Sequence, residues 1–282
     1  MSYKFVILAV ILFLFATCLL YSRVAFCQTA FETALNKKID SLFNAGVTKG
    51  NHRVLFPNDA AGSIMTPSGF GGYGTAIFGG VGGIYPQVYS SKPDLAMSGG
   101  FCVGNPFKAV NFVAIVNMMD VHKFQDFSYS FILSRIIFTG SSISIGGIQL
   151  FPNINQTDFP HATFYIAYSH AVQTTPSKSE GASALTYTIG MGNGRFLLKS
   201  GADMITGKGK HGTAVFGNVS YEIIKHLNLN AEWTGLNLAF SAGVRPAKVP
   251  VSFGIGVTNL TKYSADKPGM IFSIGYPLSL TR

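Results

Sequence analysis

Histidine, serine and glycine residues are the first candidates for chemistry in this sequence, and their spacing gives little support to catalysis or metal binding. The six histidines lie mostly in predicted loops or at strand ends, without the cysteine or carboxylate partners of a zinc site. Ser169-His170 is the most suggestive catalytic pair, but adjacent residues on a strand point to opposite faces. The nucleophile motif Gly-x-Ser-x-Gly does not occur. We therefore expect no catalytic residue, no metal and no cofactor.

The stretch Gly69-Phe70-Gly71-Gly72-Tyr73-Gly74 superficially resembles a nucleotide-binding loop. The residues after it do not form a βαβ unit, so we interpret the stretch as a glycine-rich lead into a first strand. Cys102 is the only cysteine beyond residue 27. A single thiol cannot form an intramolecular disulfide, and Cys102 is predicted to be a small buried residue of the core.

The first 27 residues have the parts of a secretory signal peptide. Lys4 precedes an unbroken apolar run, and small residues follow. We place the cleavage after Cys27, with cleavage after Ala30 as the second choice. Two alternatives stay open: an uncleaved anchor, although the run is shorter than the roughly 20 residues that span a bilayer, and lipidation of Cys27, which the bulky residue before it disfavours.

Residues 28–71 are predicted to form a short helix and a linker. Apolar residues recur at helical spacing from Phe31 to Phe43. This helix either packs on the rest of the chain or serves as a plug or periplasmic stub. Residues 44–71 are rich in Gly, Asn, Pro and Ser and have no period, which is typical of a connection.

From residue 72 onward the apolar residues alternate with small polar ones, the period of a β-strand. The clearest segments are Phe127–Phe138, Ala184–Met191, Leu227–Thr234, Leu236–Arg245, Val249–Thr258 and Met270–Leu278. The region contains about thirteen candidate strands, of which Arg195–Ser200 is the weakest. Bacterial single-chain membrane barrels have even strand numbers, so we expect twelve strands, give or take two, in a domain spanning residues 72–282.

The composition favours a lipid-facing barrel over a soluble exported β-sandwich. Only 12% of the residues are charged, against about 25% in an average soluble domain. The polar rows carry Gly, Ser, Thr, Asn and Ala, which suit the inside of a closed sheet, whereas a sandwich places charged residues there. Aromatic residues near predicted strand ends suit the girdles of a membrane barrel; they are Tyr85, Phe127, Tyr129, Phe151, Tyr168, Tyr221, Trp233 and Tyr276. We expect an all-β, antiparallel transmembrane barrel.

The last third of the chain resembles a known family. The segments that carry the resemblance are Ala231–Leu238, Gly243–Pro246 and Phe253–Val257. They are similar to bacterial outer-membrane barrels of the YjbH type, which are linked to exopolysaccharide export. Uncharacterised cyanobacterial barrels look similar in the same stretch, including Gly192–Phe196. The resemblance implies a barrel in the bacterial outer membrane and carries over no catalytic residue. The chain departs from many such barrels because its last residue is Arg282 rather than an aromatic one.

These observations lead us to expect passive passage or docking of a small solute or glycan, as in a porin-like or export-accessory protein. The predicted lumen-lining residues are Asn228, Asn230, Glu232, Asn237 and Arg245. The net charge of +9 lies mostly in loops, and we expect contact with membrane lipid or lipopolysaccharide rather than nucleic acid. Polysaccharide-export components are a further possible partner. A soluble β-sandwich binding protein and a barrel-embedded lipid-modifying enzyme are the alternatives.

Overall fold

The computed structural model describes residues 54–280 except 61, 87–93, 122, 154–158, 247–248 and 266. All of them belong to the unit Val54–Arg282. The predicted signal peptide (1–27) and the predicted helix Phe31–Phe43 lie outside the described residues. None of the helices in the described ranges is long and apolar enough to cross a membrane.

Twelve antiparallel strands form a closed barrel, which confirms the predicted fold class. The wall consists of β2 (Ala76–Tyr85), β3 (Asp94–Gly104), β4 (Asn111–Asp120), β5 (Gln125–Phe138), β6 (Ser141–Leu150), β7 (Thr163–Ala171), β9 (Leu185–Gly192), β10 (Val215–Ile224), β11 (Leu227–Trp233), β12 (Leu238–Val244), β13 (Ser252–Thr258) and β14 (Gly269–Ser279). The last strand closes the barrel by pairing with the first. Two short strands, β1 (Phe56–Pro57) and β8 (Ala182–Ser183), form a separate parallel pair. A sheet closed on itself rules out the sandwich alternative.

The two open ends of the barrel differ. We call the end with the β2–β3, β4–β5, β6–β7, β9–β10, β11–β12 and β13–β14 connections the upper rim, and the opposite end the lower rim. The wall both begins and ends at the lower rim, at Ala76 and Ser279. The β9–β10 connection, residues 193–214, is the longest at the upper rim and contains a 3-10 helix (Gly194–Phe196) and helix α1 (Gly201–Ile205). The weak candidate strand Arg195–Ser200 falls in this connection, so its prediction as a strand was wrong.

The alternating rows lie on the two faces of the barrel wall as the period predicts. Bulky apolar residues point outward; Ile255 is 58% exposed and Ile189 is 57% exposed. Small polar residues point inward and are buried, as on β5 and β6, where Ser128, Ser130 and Ser144 face the lumen. An outer face of this composition matches a hydrocarbon environment, and a closed barrel pairs the backbone groups of every wall strand.

Aromatic side chains form two belts on the outer face. The belt near the upper rim contains Tyr85, Phe127, Tyr129, Phe151 and Trp233. The belt near the lower rim contains Tyr168, Tyr221 and Tyr276. Aromatic residues collect at both membrane interfaces of outer-membrane barrels because their rings have an apolar body and a polar edge.

Three inward aromatic rings fill one side of the upper lumen. Tyr165, Phe196 and Phe216 are buried, and the centroids of the two phenylalanine rings lie 4.3 Å apart. Glycines on neighbouring strands leave room for the rings: a Cβ atom at Gly146 would overlap the Tyr165 ring, and one at Gly190 would overlap the Phe216 ring. Small and large inward residues therefore alternate across the strands, as is usual inside small barrels.

Gly190→Ala is expected to destabilise the barrel because its methyl group has no free space. The added atom would meet both the ring of Phe216 and the backbone oxygen of Ile166. Overpacking of this kind costs about 1–3 kcal/mol. The free energy of unfolding in urea, measured in lipid vesicles, should fall by that amount. Gly201→Ala is the matched control, since a Cβ atom at Gly201 meets nothing within 4 Å; an equal loss in both variants would contradict the packing account.

Candidate functional site

The described residues of the segment 54–75 do not continue the wall but run through the inside of the barrel, and we call this segment the lumen loop. Their contacts fall on inward residues of opposite walls, from β3 to β7 on one side and on β10 and β11 on the other. The loop rises from the lower rim, turns at Ile64–Thr66 and descends to β2. The sequence interpretation of 44–71 as a plain connection did not anticipate this path.

The rising limb of the lumen loop is fixed near the lower rim by paired hydrogen bonds. The amide of Gln173 both accepts from the Leu55 N–H and donates to the Leu55 carbonyl, each at 2.9 Å. Asn58 and Asn228 exchange amide hydrogen bonds at 3.0 and 2.8 Å. His226 Nδ1 lies 2.8 Å from a carboxylate oxygen of Asp59. These contacts hold the limb against the β7–β9 connection and the start of β11.

The turn of the lumen loop closes around the carboxylate of Glu232, which is fully buried. The carboxylate accepts hydrogen bonds from the backbone N–H groups of Ile64, Met65 and Thr66 at 2.9–3.0 Å. The hydroxyls of Ser63 and Thr66 donate to it as well. Successive N–H groups pointing at one anion form a nest, and hydrogen bonds to an ionised acceptor are the strong class. Glu232 is therefore the main anchor of the loop.

The descending limb passes close to the wall, which explains its glycines. The Gly69 N–H donates to Ser169 Oγ at 2.7 Å, and Ser144 Oγ donates to the Ser68 carbonyl at 2.9 Å. A Cβ atom at Gly71 would overlap Ser134, and one at Gly72 would overlap Cys102. The glycine-rich stretch thus allows the backbone to approach the wall closely. Cys102 is buried and free, as predicted.

The predicted lumen residues are placed as follows. Asn228, Asn230 and Glu232 lie on the inward row of β11, are almost fully buried, and all contact the lumen loop. Asn237 lies in the β11–β12 turn, also buried, and binds the β13–β14 connection through Asn259, Thr261 and Ser264. Arg245 follows the end of β12 at the lower rim, half-buried, and its backbone N–H donates to the His226 carbonyl. The structure therefore brings together the three β11 residues, and it places Asn237 and Arg245 apart from them, near opposite rims.

The pair Ser169-His170 is split between the two faces of β7, as expected for neighbours on a strand. Ser169 points into the lumen, where it binds Gly69 and Thr188. His170 points outward, and its Nδ1 lies 2.8 Å from Ser141 Oγ on the adjacent strand. Among the described residues, no group of three or more His, Cys, Asp or Glu side chains could hold a metal ion.

An upper and a lower cavity inside the barrel are both bordered by the lumen loop. The upper cavity measures about 610 Å³; its floor includes Ile64 and Met65 of the lumen loop, and its wall includes Asn237 and Asn259. The lower cavity measures about 280 Å³ and lies between the two limbs of the loop and the strands β9–β11. The turn of the lumen loop borders both cavities: Ile64 and Met65 line the upper one, and Ser63 and Thr66 line the lower one.

A buried carboxylate in α1 links two connections of the upper rim by hydrogen bonds. Asp203 accepts hydrogen bonds from Ser264 Oγ at 2.5 Å and from the Ala265 N–H at 2.8 Å, and it caps its own helix through Ser200. Burial alone would raise the pKa of the Asp203 carboxyl, but the hydrogen bonds from Ser264, Ala265 and Ser200 hold it below the usual 3.8. The β9–β10 and β13–β14 connections are joined through this group.

Acid should loosen the contact between these two connections. The pKa of Asp203 is lower in the folded protein than the usual 3.8, so its stabilising effect is complete above that pH and disappears as the pH falls through the lowered value. Backbone hydrogen exchange in residues 199–212 should therefore accelerate, after correction for intrinsic rates, when the pH is lowered from 5 to 2. In Asp203→Asn, the same residues should exchange faster than in the wild type at pH 5, and their exchange should change less when the pH is lowered. An unchanged wild-type profile would contradict the assignment.

Comparison with known proteins leaves both the family and the activity open. No family model matches the sequence, and no curated protein matches it. Among solved structures, outer membrane phospholipase A from Escherichia coli is similar at 9% identity and a TM-score of 0.39, covering 72% of this chain and 90% of that chain. The calcium-bound dimer of outer membrane phospholipase from Salmonella typhi is similar at 8% identity and a TM-score of 0.40, with the same coverage of both chains. Identities this low carry no information on activity.

Proposed function

We propose that this chain is an outer-membrane barrel which the lumen loop holds closed, and which docks or passes a small solute or glycan when the loop moves. The observation that supports the proposal most strongly is the set of hydrogen bonds from the loop turn to the buried Glu232 carboxylate. The proposed work is passive and includes no catalytic step, cofactor or metal. Nucleic acid has no part in it.

The outer face supports placement in a bacterial outer membrane. Apolar rows cover the wall between the two aromatic belts, where lipid would be the solvent. In bacterial barrels the periplasmic turns are short and the external loops longer. Two lower-rim connections, 139–140 and 225–226, are tight turns, whereas 193–214 at the upper rim is long. We therefore orient the upper rim outward, so that the upper cavity opens to the outside and the loop rises from the periplasmic side.

Lysines on the upper-rim connections support contact with lipopolysaccharide headgroups. Lys210, Lys262 and Lys267 are exposed there, next to the upper aromatic belt. Anionic headgroups attract such residues through sequence-independent electrostatics. A role in polysaccharide export, with partner proteins at the lower rim, is the accessory version of the same proposal and rests on the family resemblance alone.

The lumen loop is suited to closure because it is held mainly by hydrogen bonds and forms no part of the closed sheet. Besides side-chain hydrogen bonds, its described contacts to the barrel include the two-residue β1–β8 pair, ring contacts of Phe56 and Tyr73 with Phe107, and one close histidine–carboxylate contact. A neutral bond of this kind contributes about 0.5–1.5 kcal/mol net, and a bond to the Glu232 carboxylate about 1.5–3 kcal/mol. A segment held in this way can leave without breaking the barrel, whose wall strands pair independently of it.

Liposome swelling tests the proposed function. Vesicles containing the protein without residues 28–71 should swell in small sugars at a rate that falls with sugar size, because the shortened chain has an open lumen. Vesicles containing the intact protein should swell slowly. Equal, slow swelling of both would overturn passage through the lumen, provided that circular dichroism and heat-shifted gel mobility show both to be folded barrels.

A further inference from the structure

The upper cavity has the size and lining of a binding site for a small molecule. Its volume of about 610 Å³ falls within the range of about 300–1,000 Å³ found for such sites. Like them, it combines apolar surface with a few polar groups. We propose that it binds a neutral, hydroxyl-rich solute of oligosaccharide type. This inference rests on the proposed function, because the outward orientation of the upper rim determines which solutes reach the cavity.

A buried amide on the cavity wall lacks an acceptor and indicates what the ligand supplies. Asn259 is 2% exposed, and its Nδ2 has no hydrogen-bond partner among the described residues. Its Oδ1 is already occupied, since it accepts from Asn237 Nδ2 at 3.2 Å. A buried donor without a partner costs about 1–3 kcal/mol. A hydroxyl or ether oxygen of a bound solute would satisfy this donor.

Further polar groups around the cavity suit hydroxyl groups, which both donate and accept. Asn117, Gln149 and Ser273 line it together with Asn259. Phe159 and Phe196 supply apolar faces on which the C–H surface of a sugar ring can pack. The alternation of amide, hydroxyl and aromatic groups matches a molecule that presents hydroxyls at its edge and C–H groups on its face.

The charges that line the cavity disfavour anionic solutes. Among the described lining residues, Asp94, Asp120 and Asp126 stand against one basic residue, Arg195. A carboxylate or phosphate on the solute would be repelled in a chamber of lowered dielectric. The carboxylates can accept hydrogen bonds from neutral hydroxyl groups instead. The lining therefore favours a neutral sugar over an acidic one of the same size.

Calorimetric titration of the intact protein in detergent tests the assignment with two matched probes, maltotriose and trigalacturonic acid. Maltotriose should bind, and trigalacturonic acid should bind at least about tenfold more weakly, a difference of about 1.4 kcal/mol. Failure of maltotriose to bind, or equal or tighter binding of the acid, would overturn the proposal. The titration uses the closed protein, so its failure would leave the swelling result untouched.

Two variants locate the site. Asn259→Asp keeps the acceptor for Asn237 but removes the buried donor, so maltotriose affinity should fall at least about tenfold. Ala96→Phe fills the cavity from the inward row of β3 and should abolish binding. Ser220→Ala is the control, because Ser220 is equally buried but lines the lower cavity. Unchanged affinity in both folded cavity variants, or an equal loss in the control, would contradict the site.

Discussion

Glu232→Ala should convert a silent barrel into a conducting one in planar bilayers. Removing the carboxylate leaves the N–H groups of Ile64, Met65 and Thr66 without their acceptor, and each orphaned buried donor costs about 1–3 kcal/mol. The turn of the lumen loop then loses most of its hold on the wall. We expect discrete channel openings in the variant and rare openings, if any, in the wild type.

Glu232→Gln gives the graded test of the same anchor. The amide keeps one acceptor oxygen but loses the charge and places N–H groups against the loop donors, so its open probability should lie between those of wild type and Glu232→Ala. Glu222→Ala is the matched control. Glu222 is a buried carboxylate on β10 that accepts hydrogen bonds from the backbone N–H groups of Lys178 and His226 rather than from the lumen loop. Conductance that rises equally in Glu222→Ala would show that the effect is not specific to the loop.

Ile255→Arg should prevent most of the protein from inserting into the membrane. Ile255 lies at the middle of β13 on the outward row and is 58% exposed. An arginine facing lipid at the midplane costs about 2–4 kcal/mol, but only about 0–1 near the interfaces. Leu278→Arg, on the outward row close to the end of β14, is therefore the control. The measurement is the fraction of refolded protein in lipid vesicles, scored by heat-shifted mobility. Equal folding of the two variants would contradict the lipid-facing assignment.

The sequence predicted the strands of the barrel wall better than the loop that occupies the lumen. Alternation placed the Asn228, Asn230 and Glu232 side chains on one row of β11 because the period of a strand is local and needs no knowledge of the partner strand. The same reasoning extended the next strand to Arg245, but the wall strand ends at Val244, just before the turn at Pro246. The prolines and glycines of turns mark strand ends only to within a few residues.

The lumen loop could not be predicted, because nothing local marks it. Residues 63–66 contact Glu232, which lies about 170 positions later in the chain. An irregular loop inside a barrel also requires no regular alternation of apolar and polar residues, so its sequence shows no pattern. The signal that was present is the glycine stretch at 69–72. Its glycines are required because the backbone approaches Ser134 and Cys102 closely. The same composition also fits the lead into a first strand or a nucleotide-binding loop, so it does not by itself identify a loop inside the barrel.

The most direct test of the account is the reactivity of a single cysteine placed in the lumen loop. Ala60 is 7% exposed and lies beside the lower cavity, so Ala60→Cys, in a chain without other cysteines, changes little volume. Its reaction with a bulky maleimide in vesicles should be at least about a hundredfold slower than that of Lys262→Cys on an exposed connection, and Glu232→Ala should accelerate it. Equal rates at both positions in the otherwise wild-type chain would show that residues 54–75 do not occupy the barrel.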